Sequence, residues 1–586
     1  MGAMGPPALV LLLAAALPQA PPRIGEAAPP LGFTDVRGLE RSIDELGPGR
    51  ATVLVFATVE CPLARRSLPA LGDLARDFEP EGVRFLLLVP EDRAGLGEIA
   101  SLGLRSGLPF PAGKDRGGRA ARALGVTRSP TAVLLDAAGR LRYRGRVDGR
   151  FRLGGARPGP VREDLRLALQ AVLEGREPEV AETPAEGCLL AFETPPVPDP
   201  PPTWAGEVAA LLDRHCLDCH RKGGGAPFSL EDPGKAQRFA PMIAEVVQDR
   251  RMPPWLGSPD SADFRGRRWL EDGEIQTLVD WARAGAPLGD LETAPAPQER
   301  PDRDWRIRPP DLVTAVAAEE VIPARGVLPY RYRPLPVAFP EETWVQEIEI
   351  RNRVPEVLHH ANLAWIEPGL EMEPHFITGL VPGGDPMALP DGVAVRIPAG
   401  AILILQCHYV TLGEEVRDRI EVGFRYPRTT VHQELRHWQI GSWNFRIEPG
   451  EDFQEVRAAR AFRRPVRGLG LFAHMHYRGQ AMRFDRLRPG GARELLLEVP
   501  IYSFDWQQAY PWAEPPRFEP GETLEVTAWF DNSSFNPWNP DPERTVGFGL
   551  QSTDEMMIGF FFFVREGEDL ALEVDPADGT VVPVVE

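Results

Sequence analysis

The chain has 586 residues, 43% of them hydrophobic and 26% charged, with 63 Pro and 57 Gly, which is more than one core can organise, so roughly three to five domains are expected. A formal net charge of −20 excludes nucleic acid as a partner, because phosphate recognition needs a clustered basic surface. Five cysteines, at 61, 188, 216, 219 and 407, are too few for a disulfide scaffold, and each needs its own explanation.

The first element is an apolar run from Ala8 to Leu17, followed by Pro18-Gln19-Ala20. This pattern predicts a signal peptide over residues 1–20 and export to the periplasm or beyond, with a retained N-terminal anchor as the alternative. No later stretch reaches the roughly 20 apolar residues that span a bilayer, so no other membrane contact is expected. Proline-rich breaks at Pro195 to Pro202 and from Pro295 to Pro310 divide the remainder into blocks at 22–190, 203–292 and 310–586.

In the first block, apolar runs at Thr52 to Phe56, Val83 to Val89 and Thr131 to Leu135 alternate with a helical stretch at Ser67 to Phe78, the pattern of an α/β sheet. The second block reads as all α. Trp204 to His215, Ala240 to Asp249 and Asp272 to Ala284 carry apolar residues at three- and four-residue spacing. The third block is all β, with short strands at Val345 to Ile350, Ala401 to Val410, Thr523 to Trp529 and Ile558 to Val564. Its length suits two tandem sandwiches, 310–446 and 447–586, divided at Ile447-Glu448-Pro449-Gly450.

Within the first block, Thr58-Val59-Glu60-Cys61-Pro62 and Ser129-Pro130-Thr131 resemble the thioredoxin-like redoxin and alkyl hydroperoxide reductase group. The resemblance implies a thioredoxin-like domain over 22–190, Cys61 at a helix N-terminus where the dipole favours thiolate, and Pro130 as a cis-proline facing it. Ala64 replaces the second cysteine of a C-x-x-C, and Leu54 stands where peroxidase chemistry asks for proline. Three roles stay open for Cys61: a single redox thiol, a disulfide partner of Cys188, or a vestigial thiol in a docking domain.

In the second block, Cys216-Leu217-Asp218-Cys219-His220 is the C-x-x-C-H signature of covalent c-type haem, in which two thiols form thioethers and the histidine ligates iron. No second cysteine pair completes a zinc site. Met252, in Arg250-Arg251-Met252-Pro253-Pro254-Trp255, is the expected sixth ligand; Met242 is the runner-up, with a core position as its blander reading. The block resembles small monohaem cytochromes c over most of 204–290.

All ten histidines lie at or after position 215. In the third block they gather as His359-His360, His408 within Gln406-Cys407-His408-Tyr409, and His474-Met475-His476, and imidazole suits copper well. On a regular strand His474 and His476 share a face, whereas His359 and His360 converge only at a bulge or strand end. With Asp554-Glu555-Met556, the ordered motifs resemble the copper type II, ascorbate-dependent monooxygenases, the group of peptidylglycine α-hydroxylating and dopamine β-monooxygenases. The resemblance spans roughly 310–586. It implies jelly-roll sandwiches, an electron-transfer copper on His359, His360 and His408, and an oxygen-activating copper on His474, His476 and Met556.

The group's substrate anchors are replaced here by Phe472, Ile558 and Phe560, which implies a more apolar pocket. His375, His432 and His437 are read as structural. The combined expectation is an exported oxidoreductase with two copper ions and one covalent haem c, using an electron donor, O2 and a small-molecule substrate to hydroxylate a C–H bond. A copper and haem electron relay without catalysis, and a thioredoxin-like thiol or peroxide oxidoreductase, are the alternatives.

Overall fold

A computed structural model describes residues 20–586 except 153–154, 157–160, 193–194, 301–304, 327, 368–373 and 583–586. The predicted signal peptide lies outside the described residues save for Ala20. The chain divides into two compact units, Met1–Thr194 and Pro195–Glu586.

The first unit is built on a seven-stranded sheet. Ala51–Phe56 and Val83–Val89 are almost wholly buried and pair in parallel, as near-continuous apolar runs covered on both faces should. Thr131–Asp136 runs antiparallel to Ala51–Phe56 on its other side. The predicted helix at Ser67 starts earlier, at Pro62, and runs to Phe78 with Pro69 inside it. Proline at the first helical position costs no hydrogen bond and presets the backbone, and burial of Leu63, Leu68, Leu71, Ala75 and Phe78 holds the helix across Pro69. Near the end of the unit, the short strand Cys188–Leu189 returns to pair antiparallel with Arg128–Ser129.

The second unit opens with helices at Trp204–His215, Pro233–Gln248 and Asp272–Arg283. Their core gathers Trp204, Leu212, Leu217, Ala240, Leu278 and Trp281. The helix predicted from Ala240 begins at Pro233, because Asp232 accepts the Lys235 N–H at 2.6 Å as its N-cap; Pro241 inside the helix masks that start. The 203–292 block is not self-contained. Between its last two helices the chain leaves to pack Phe264 into the core of the C-terminal β-structure, with Trp255 and Ala262 against it. The Ser258 and Ala262 amides bond to the carbonyls of Glu498 and Leu496 there.

Two β-cores follow. In the first, a sheet ordered Arg331–Ala338, Ile402–Tyr409, Leu358–Ile366, His375–Leu380 and another ordered Leu312–Ala315, Ile420–Arg425, Glu347–Asn352, Met387–Ala388 share a core including Ile348, Leu363, Leu405 and Phe424. In the second, Arg436–Gly441, Ile558–Arg565 and Val466–His474 form one sheet, and Gln454–Ala461, Thr523–Phe530, Gly479–Leu487 and Arg493–Val499 another; Leu471, Phe484, Val526 and Phe561 meet between them.

The predicted division at 446/447 is corrected. Arg436–Gly441 pairs residue for residue with Ile558–Phe563, so the second sandwich starts before that point. The end of the chain goes back to the first: Leu570, Leu572, Val574 and Val581 pack on Trp344, Ala394 and Val431. The Pro-Gly at 449–450 is a turn within the second sandwich, with Gly450 at φ 71°.

Candidate functional site

The first imidazole nest forms where two strands of one sheet meet. His360 lies directly opposite His408 across the ladder, and the register shifts between Leu358 and His360. That irregularity is the bulge which adjacent histidines need in order to face one way. His359, His360 and His408 each offer a ligand atom, and these atoms all lie within 4.8 Å of one another. His359 Nε2 lies 3.0 Å from the Asp505 carboxylate, which places its ring proton there and leaves Nδ1 facing His360 Nδ1 at 3.1 Å. His408 Nδ1 is buried with no hydrogen-bond partner. A buried orphan nitrogen beside two convergent imidazoles fits a metal ion better than a hydrogen-bonded core. Burial and the nearby His359 push His408 down to about 4, and burial with its neighbouring imidazoles holds His360 well below the usual range. Both are neutral and able to donate a lone pair.

The second group is assembled differently from its prediction. The strand carrying His474 ends at that residue, so strand alternation does not align the pair. A buried carboxylate does: Glu555 accepts the backbone N–H of His476 at 2.9 Å, of Arg478 at 2.6 Å and of Met556 at 3.3 Å. One side chain thereby ties the His-x-His turn to the methionine segment. Burial raises the Glu555 carboxyl to about 8, against the opposing pull of those amides and the Arg478 guanidinium. His474 Nδ1 sits 2.8 Å from Gln507 Oε1 and His476 Nδ1 3.2 Å from the Asp554 carbonyl. Holding Nδ1 fixes the tautomer and leaves each Nε2 for a ligand. The two rings lie 5.4 Å apart and nearly perpendicular. Burial and the neighbouring His474 push His476 down to about 3. Of the paired methionines, Met557 takes the core position and Met556 is left half-buried.

Phe504 joins the two groups. It stacks on His359 at 5.4 Å and lies 5.9 Å from His360, 6.1 Å from His408 and 6.0 Å from His476. Sequence reasoning missed Phe504, Asp505 and Gln507, which come from a loop with neither motif nor periodicity. Glu555 was visible within Asp554-Glu555-Met556, though its clamping role was not. Phe472 and Phe560 stand opposite in register with rings 5.7 Å apart, and Phe376 adds a third ring at 5.4 Å from Phe560. His375 and His437, read as structural, line a cavity of about 860 Å³; His432 pairs with Asp569 at 2.7 Å.

On the helical segment, His220 Nδ1 lies 3.1 Å from the Phe228 carbonyl, so Nε2 is the nitrogen that could serve as a ligand. Its ring packs on Phe228, which stacks on Phe239 at 4.6 Å. Cys216 and Cys219 are free thiols, so both sulfurs fit thioether formation. Met252 is 39% exposed and lines a small recess with Val247, Trp269, Leu270 and Ile275. Met242 is 54% exposed, which corrects its core reading: it sits on the outer face of the helix Pro233–Gln248.

In the first unit, Cys61 occupies the N-cap of the helix Pro62–Phe78, and Ser129–Pro130 is cis, both as the resemblance implies. The Cys61 thiol lies 3.3 Å from the Ser129 carbonyl and is 2% exposed. The Thr58 amide is held 2.9 Å from Ser129 Oγ, tying the two loops together. Cys188 stands opposite Ser129 in the returning strand.

Residues 24–144 match the AhpC/TSA family. The chain is similar to thiol-disulfide oxidoreductase ResA of Geobacillus thermodenitrificans, 28% identical over 120 residues, covering 20% of this chain and 67% of the relative. The protein of the same name from Geobacillus kaustophilus gives the same identity and coverage. Among solved structures, an uncharacterized conserved protein from Geobacillus kaustophilus is 27% identical, covering 30% of this chain and 94% of its own, with a TM-score of 0.28. A secreted Mycobacterium tuberculosis disulfide oxidoreductase is 23% identical, covering 19% of this chain and 79% of its own, with a TM-score of 0.17.

Proposed function

With a thioredoxin-like N-terminal domain as premise, we propose that the chain is an exported oxidoreductase whose C-terminal unit hydroxylates a C–H bond of a small apolar substrate. The single observation that carries the reading is the facing of two imidazole groups across Phe504, one with three ligand atoms within 4.8 Å. His359, His360 and His408 would hold an electron-transfer copper, and His474, His476 and Met556 a second. The softer donor set, with a thioether, favours Cu(I). Cys216, Cys219 and His220 would hold a covalent haem c, with Met252 as its proposed sixth ligand. These groups, when bound, would supply one-electron transfer and oxygen activation.

The chain's own residues do the rest. Asp505, Gln507 and the Asp554 carbonyl fix the orientation of the imidazoles. Phe504 packs against imidazoles of both groups, and Phe472, Phe560 and Phe376 offer apolar contact in place of a charged anchor. Export is supported by the apolar run at Ala8 to Leu17 and by the c-type haem motif; among the described residues no helix is long and apolar enough to cross a membrane.

The test is oxygen uptake by the copper-loaded full chain, supplied with an electron donor and a panel of apolar substrates. Uptake should match hydroxylated product and fall sharply in a Cys216→Ala/Cys219→Ala variant when ascorbate is withheld. A relay without catalysis would be reduced and reoxidised with no product. For the N-terminal domain we propose thiol–disulfide chemistry at Cys61, favoured by its helix-cap position beside the cis-proline and by the relatives' activity.

A further inference from the structure

The sequence leaves Cys61 without a partner in its own motif, because Ala64 stands where the second thiol of a C-x-x-C would be. The structure supplies a partner from beyond the family match at 24–144. Cys188 lies directly opposite Ser129 in an antiparallel pairing, and Cys61 reaches the carbonyl of that same Ser129. The Cys188 thiol and amide are both within hydrogen-bonding reach of the Cys61 sulfur. The returning segment is tightly registered: the Leu190 amide bonds to the Thr127 carbonyl at 2.9 Å, and the Arg128 guanidinium to the Gly187 carbonyl at 2.7 Å. At Gly187 a Cβ would meet the Ser129 carbonyl oxygen at 1.9 Å, so only glycine allows the strand to come this close.

We propose that Cys61 and Cys188 form a reversible dithiol–disulfide couple, with the second thiol carried by the strand that closes over the helix-cap cysteine. This deepens the thiol–disulfide reading of the domain and rests on it. Cys61 is buried whereas Cys188 is part-exposed, so an external dithiol donor meets Cys188. The donor thiolate attacks Cys188 Sγ, the Cys61–Cys188 bond breaks and Cys61 leaves as thiolate. The donor's second thiol then displaces Cys188, which takes up a proton. Two electrons pass to the chain, and the donor becomes a disulfide. The electrostatics agree with this direction. Although burial raises Cys61, hydrogen bonds from the Cys188 thiol and the Ala64 amide outweigh it and hold Cys61 below the ordinary thiol value. Cys188, donating to Cys61, is held above it. The lower-pKa sulfur is the better leaving group.

The experiment equilibrates the full chain in mixtures of reduced and oxidised glutathione, quenches with acid, alkylates and maps peptides by mass spectrometry. Cys61 and Cys188 should lose alkylation together and appear as one linked peptide. Brief exposure of the oxidised chain to limiting glutathione should place the adduct on Cys188 and free Cys61. Gly187→Val should cut the yield of linked peptide at least tenfold, whereas Leu189→Ala, at an exposed neighbouring side chain, should leave it unchanged. If Cys61 forms a glutathione adduct to the same extent with and without Cys188→Ser, the pairing is wrong and the thiol reading stands. If neither cysteine changes state across the whole range, both fall.

Discussion

The thiol site of the first unit and the imidazole groups of the second solve the same problem, convergence of residues distant in sequence, by different means. Cys61 is placed by a local device, the start of a helix, and only its partner comes from far away, on a strand of two residues. Each imidazole group depends on long-range register: a bulge opposite His408 in one case and the buried Glu555 clamp in the other. A site of the first kind should tolerate loss of its remote half without unfolding. One of the second kind should not.

The largest expected effect follows from that contrast. Glu555→Ala removes the acceptor of three backbone amides, those of His476, Arg478 and Met556. Leaving buried amides without their acceptor costs about 1–3 kcal/mol each, to be read as an earlier urea transition of the second unit. In the reduced chain, Cys188→Ala, on a part-exposed strap, should stay within about 1 kcal/mol in the same assay. Equal losses in the two variants would erase the distinction.

An effect of comparable size is expected at Trp281, which is fully buried among the helices and whose Nε1–H donates to the Pro287 carbonyl at 3.1 Å. Trp281→Ala should cost about 3–5 kcal/mol, and by circular dichroism it should melt the helical segment before the β-structure. Because the arm around Phe264 is anchored in the second sandwich, the β-signal should follow at a lower midpoint than in wild type.

A smaller effect concerns pH. His408 is held near about 4 and His476 near about 3. Both therefore remain neutral at pH 5, where an ordinary imidazole is mostly protonated. Protons should compete with copper only as pH falls toward those values, so equilibrium dialysis should find copper retained at pH 5. Release with a midpoint near the ordinary histidine value would contradict it. Smallest of all, Cys188→Ala removes a hydrogen bond to the Cys61 sulfur, so the alkylation midpoint of Cys61 should rise.

How much of this was legible depended on whether the signal was local. The strands Val83–Val89 and Ile558–Arg565 were readable because burial leaves its marks within a few residues, whereas the helix-cap place of Cys61 came only from the redoxin-like motif around it. Helix starts at Pro62 and Pro233 were missed because an interior proline, Pro69 or Pro241, imitates a boundary that tertiary burial overrides. The histidines were identifiable by type and order, but their reason for convergence was not. His476 is off the strand that was expected to align it, and the bulge before His360 is a property of pairing with Ile402–Tyr409. Phe504 and Asp505 sit on a loop whose sequence shows no pattern, and the strand Arg436–Gly441 shows its allegiance only through its partner Ile558–Phe563.

The central claim is tested most directly by counting copper. Full chain loaded with Cu(I) and freed of excess should hold two ions per chain by metal analysis. His408→Ala and His476→Ala should each hold one, and the double variant none. A wild-type chain without copper, or single variants that each lose both ions or neither, would contradict two separate imidazole nests.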